Sequence, residues 1–206
     1  AYYGNLPNQL VSRGVPIVTA LTNQSGVCSK KFMPAEVSHS RRIWIVPRGA
    51  AFPDGITTFW QMIKESLRLL KRASENGNHE ELDYFQTLAA AQLDHHSFGA
   101  LNLSQEIRQI CRDLEPAVLV ITFEGYPWER LVCKLVHDEF PSMIVIGYQH
   151  AVITDGPRAI NHKFGRGMDP DHLFCAGAYM RQRLIDEGDM HPKDATIIGS
   201  PKSVVY

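Results

Sequence analysis

The chain lacks the motifs by which several large classes of α/β enzyme are known. No Gly-x-Gly-x-x-Gly follows a strand-like run, no P-loop precedes a helix, and no Gly-x-Ser-x-Gly elbow occurs. Dinucleotide redox chemistry, P-loop NTP hydrolysis and α/β-hydrolase chemistry are therefore disfavoured. Close cysteine pairs are absent as well. Cys28, Cys111, Cys133 and Cys175 lie far apart, two of them in helical patterns and one in an apolar strand, which favours buried reduced thiols and a cytoplasmic location over disulfides. His95 and His96 stand without the carboxylate and cysteine company of a metal site, so no metal is expected. No run reaches the ~18 apolar residues of a bilayer span, and no signal-peptide pattern opens the chain. Charge of one sign is lacking too: 21 Lys and Arg against 22 Asp and Glu leave a net charge of −1. That balance gives no reason to expect nucleic acid or an anionic membrane as the main partner, although it leaves room for local basic patches.

What is present suits one sizeable domain of 206 residues, without repeats or low-complexity tracts. "LPNQLVS" reads as a helix, Leu6 to Ser12, closed by Gly14 and followed by a strand, Val15 to Leu21. In an α/β fold a strand normally precedes such a helix, so one is expected ahead of Ala1. Ile43 to Val46 is a second strand, and the Gly- and Pro-rich stretch from Pro47 to Gly55 reads as turns. Three helices follow, over residues 56–73, 79–96 and 103–116. Ser104 is the expected N-cap of the third, and Pro116 its stop.

From Ala117 onward, apolar strands alternate with helices: "AVLVITF", "WERLVCKLVHDEF", "SMIVIGY", "HLFCAG", "AYMRQRLIDEG", "ATIIGSP". Continuous apolar strands separated by helices predict a mainly parallel sheet in a Rossmann-like three-layer α/β/α sandwich. Its strands are expected at Ala117–Phe123, Met143–Tyr148, Leu173–Ala176 and Thr196–Ile198. The long Gly-, Pro- and Asp-rich stretch between the second and third of these is either disordered or functional.

Ligands of open parallel sheets bind beyond the carboxyl ends of the strands. Two strands there end on polar groups, one on Glu124 with Gly125 and the other on Gln149 with His150. Glu124 is either a helix cap favoured by the helix dipole or a general base and acceptor for sugar hydroxyls. His150 is either a packed strand-end histidine or a proton carrier at neutral pH. Tyr126 and Trp128 could stack on a ring, with packing the better reading for Trp128; Glu129 and Arg130 read as a solvated first turn.

The ordered set "YPWERL", "YQHA", "CAG" and "IIGSP" resembles the amino-terminal half of GT-B glycosyltransferase-like proteins of bacterial surface polysaccharide (capsule or O-antigen) synthesis. The resemblance covers Ala117 to Pro201 well and the first hundred residues only in outline. It implies that residues 1–206 form one Rossmann-like acceptor-side domain of a longer protein. A carboxyl-terminal domain would bind the nucleotide-sugar donor, and this domain would hold no cofactor of its own. It further implies Glu124 and His150 as catalytic residues; Gly125, Tyr126, Gln149, Thr154 and Asp155 as substrate-binding residues; and a carbohydrate or glycolipid acceptor. The place of work would be the cytoplasm or the inner face of the membrane, with no nucleic-acid partner. Many relatives have glycine after the histidine, where this chain has Ala151. Two other readings stay open: a non-catalytic carbohydrate-binding or assembly domain, and a sugar-nucleotide epimerase or hydrolase of related fold.

Overall fold

The computed structural model describes residues 6–22, 42–46, 52–76, 79–150, 159–165, 167–188 and 190–199. Among these residues it shows an α/β arrangement with six α-helices, α1 (Leu6–Ser12), α2 (Phe52–Asn76), α3 (His79–Gln92), α4 (His95–Leu114), α5 (Pro127–Glu139) and α6 (Ala178–Glu187). The strands are β1 (Val18–Thr22), β2 (Arg42–Val46), β3 (Val118–Thr122), β4 (Ile144–Gln149), β5 (His172–Cys175) and β6 (Ala195–Ile197). β1 and β2 pair in parallel, and a separate four-stranded sheet runs β3-β4-β5-β6 with every neighbour parallel. The expected parallel strands therefore form, each within a residue or so of its predicted place.

One face of the four-stranded sheet is covered. Leu119 and Ile121 of β3 with Phe123 just after it, Val145 of β4, and Leu173 and Cys175 of β5 meet Val132, Cys133 and Val136 of α5 and Met180 and Leu184 of α6 in one core. Val132, Val136, Val145 and Leu184 are fully buried, each worth about 1.5–3 kcal/mol relative to exposure. On the opposite face Val118, Val120 and Ile144 are exposed. Among the described residues the arrangement is thus a sheet with helices on one side, coarser than the expected three layers.

Three local expectations change. The helix starts at Phe52, inside the stretch read as turns, because Pro53 is tolerated in a first helical turn, where its missing N–H loses no bond. The helix expected to end at residue 96 stops at Gln92, and α4 begins at His95 with Asp94 as its N-cap, accepting from the His96 N–H. Ser104 is therefore mid-helix and fully buried; its hydroxyl bonds to the Leu101 carbonyl, the other outlet open to a short hydroxyl side chain. Pro116 does stop the helix, after Glu115 has turned into the left-handed region at φ 44°.

Candidate functional site at the carboxyl edge

β3 and β4 are direct neighbours, with Thr122 opposite Tyr148, so Glu124 and His150 emerge at the same level two residues further on. The Phe123 N–H still donates to the Tyr148 carbonyl at 3.0 Å, which extends the pairing to the threshold of the site. Glu124 Oε1 accepts the backbone N–H of His150 at 3.0 Å and lies 3.1 Å from its ring Nδ1. The two residues expected to share a pocket are in contact. Both side chains remain partly accessible, and the Tyr148 ring lies 6.2 Å from the imidazole, its hydroxyl 3.4 Å from the Gly199 carbonyl.

The other expected contacts divide. Gly125, at φ +84°, makes the turn that a residue with a side chain rarely makes. It is also roofed, since a Cβ there would stand 2.5 Å from the Ile160 nitrogen and 2.6 Å from the Ala159 carbonyl carbon. Tyr126 is 58% exposed at the N-cap of α5 and free to present its ring to a ligand. Gln149 is fully buried. Thr154 and Asp155 lie outside the described residues.

Glu129 and Arg130 correct the expectation of a solvated turn, for both are buried. Glu129 Oε2 accepts the backbone N–H groups of Glu124 and Tyr126, each at 2.8 Å, and so ties the turn that carries Glu124. Its carboxyl is pushed up to about 7 by burial, reinforced by the nearby Glu124 charge and opposed by the backbone donors. Arg130 pairs with Asp169, donates to the Ala159 and His162 carbonyls, and lies over the rings of Phe123 and Phe164. It therefore pins the chain that follows β4 onto the start of α5, which is what brings Ala159 and Ile160 against Gly125. A sequence signal for Glu129 existed: with Val132, Cys133 and Val136 it forms the i, i+3, i+4, i+7 row of the buried face. Trp128 packs partly buried against the core, as read.

The three cysteines among the described residues offer no second centre. Cys111, Cys133 and Cys175 are buried free thiols, and burial pushes Cys133 up to about 12 and the other two to about 11, which keeps them protonated and unreactive. Cys28 lies outside the described residues. Among the described residues no three His, Cys, Asp or Glu side chains are grouped as metal ligands would be. No protein-family model, curated protein or solved structure matches this chain, so the reading of the site stands on its own geometry.

What the arrangement defines is a carboxylate–imidazole pair at the carboxyl edge of a parallel sheet, held from below by a buried second carboxylate. Such a pair can take up and return one proton.

Proposed function

We propose that the chain is the acceptor-side, Rossmann-like half of a GT-B-type glycosyltransferase of bacterial surface polysaccharide synthesis. In this reading a second domain brings a nucleotide sugar to the Glu124–His150 edge. The observation that carries it is the 3.1 Å contact between Glu124 Oε1 and His150 Nδ1 at the ends of adjacent parallel strands. In this reading the ring nitrogen facing the carboxylate carries the proton and Nε2 is the base. His150 Nε2 then removes the proton of an acceptor hydroxyl while that oxygen bonds to the anomeric carbon and the nucleoside diphosphate leaves. Glu124 orients the ring and balances the imidazolium that forms, the same division of labour as in other carboxylate–histidine pairs. In this reading Tyr126, exposed at the N-cap of α5, stacks on an acceptor sugar ring.

The test is nucleoside diphosphate release from a panel of nucleotide sugars, with and without hydroxyl acceptors, by the protein joined to its donor domain. Acceptor-dependent release that falls about a hundredfold or more in His150→Ala, with an unchanged melting temperature, is the expected result. Saturable sugar binding without release would favour a carbohydrate-binding domain. Release that needs no acceptor would favour a hydrolase or epimerase.

A further inference from the structure

We propose that His137 is a proton-operated latch on the segment that follows the roof over Gly125, closed when the imidazole carries both ring protons and loosened when it gives one up. The inference is independent of the sugar chemistry, because it needs no substrate. His137 lies in the last turn of α5, two turns or about 10.5 Å beyond Arg130, so the two side chains leave the same side of the helix. Arg130 holds Ala159, His162 and Asp169. His137 holds the rest of the segment, residues 167–171. Its Nδ1 lies 2.8 Å from the Gly167 carbonyl oxygen and its Nε2 3.2 Å from Asp171 Oδ2. The backbone is packed close there, for a Cβ on Gly167, at φ +80°, would stand 3.4 Å from the His137 Cβ.

A carbonyl and an ionised carboxylate can only accept. A neutral ring has one N–H and one lone pair, so it satisfies either Gly167 or Asp171 and turns its lone pair on the other. The imidazolium donates to both, and its bond to Asp171 becomes charge-assisted. The end of α5 favours the same state, since a cation in a last helical turn meets the negative end of the helix dipole. Asp171 is fixed independently of the ring: its N–H donates to the Val145 carbonyl at 2.9 Å and its Oδ2 accepts the Val145 N–H at 2.8 Å, which ties it to the start of β4. Loss of the proton therefore displaces the ring, and with it the hold on Gly167. The other charged groups nearby on α5 and on α4 packed against it are matched: Lys134 with Asp138, Arg130 with Asp169, and Arg108 and Arg112 with Glu139. Cys133, one turn back on α5, is kept protonated by burial, and His172 beside Asp171 is exposed. Histidine is the side chain that ordinarily changes charge between about pH 5 and 8. The latch is thus closed on the acid side of that window and loosened on the alkaline side, the sign set by a ring that gains acceptors on folding.

The test is hydrogen exchange of the Met168 amide, which donates to the Gly165 carbonyl at 2.9 Å, followed from about pH 5 to 8 beside the imidazole resonances of His137. Protection, corrected for the intrinsic exchange rate, should fall about tenfold or more as the ring loses its second proton, with one midpoint for both. His137→Gln, which cannot titrate, should remove the fall, and Asp171→Asn should shrink it. Glu129→Gln should leave it in place, which separates the latch from the titration of that carboxyl. Protection that does not change over this range, a midpoint apart from that of the ring, or a fall retained in full by His137→Gln or Asp171→Asn overturns the proposal.

Discussion

Glu129 is the residue on which the site depends most. It is buried, and its carboxyl sits at about 7 where an ordinary glutamate sits at 4.5. A carboxyl with a raised folded pKa binds its proton more tightly in the folded protein than in the unfolded chain. Its contribution to stability is thus full below about pH 4.5, falls as the pH rises through 7, and changes no further above that. The loss amounts to at most about 3 kcal/mol. Glu106, also raised to about 7 by burial, acts in the same direction. Urea unfolding at pH 5 and pH 8 measures this slope. Glu129→Gln, which keeps an oxygen for the two backbone donors, should flatten it, whereas an unchanged slope would show that Glu129 does not titrate in this window. Gly125 is the second such residue. Gly125→Ala combines a positive φ with a Cβ 2.5 Å from the Ile160 backbone, so a loss of about 2–4 kcal/mol is expected in the same unfolding experiment.

At the scale of elements, α5 joins packing to placement. Pro127 sits in its first turn, the Glu129 side chain accepts the N–H of Tyr126 at the N-cap, and Val132, Cys133 and Val136 face the sheet. Arg130, one position round the helix from Glu129, clasps the chain after β4. Arg130→Met should cost about 3–5 kcal/mol, the usual result when one partner of a buried pair is removed and the other, here Asp169, is left behind. Hydrogen exchange should show the loss concentrated at residues 159–165. At the end of α4, Glu115 adopts φ 44°, a conformation that costs a residue with a Cβ about 1 kcal/mol. Glu115→Gly should therefore raise the melting temperature by about 2–4 °C.

The strands of the four-stranded sheet were legible because each is a continuous apolar run bounded by polar or turn residues, and fully apolar strands have few other solutions in water. Glu124 and His150 were legible for the same reason, as the first polar residues beyond neighbouring strands. The roles of Glu129 and Arg130 were not, because a charged pair in a first helical turn is ordinarily solvated. Their burial depends on Ala159, His162 and Asp169, thirty to forty residues away in sequence. The start of α4 was misread because Ser104 is a good cap in isolation, and only the packing of the preceding turn carries the helix through it.

At the scale of the whole molecule, the parallel order β3-β4-β5-β6 lines the carboxyl ends of four strands along one edge. Glu124 and His150 stand just beyond the ends of the first two. The helices on the covered face hold those strands, and α5 carries both the buried carboxylate and the arginine clasp. The central claim is that Glu124 holds the Nδ1 proton of His150 and leaves Nε2 as the base. Nitrogen-detected NMR of the imidazole at pH values where the ring is neutral tests it without knowledge of the substrate. The expected spectrum shows His150 in the Nδ1–H tautomer, with Glu124→Gln shifting the ring toward the Nε2–H form. A wild-type ring already in the Nε2–H form, or one unaffected by Glu124→Gln, would contradict it.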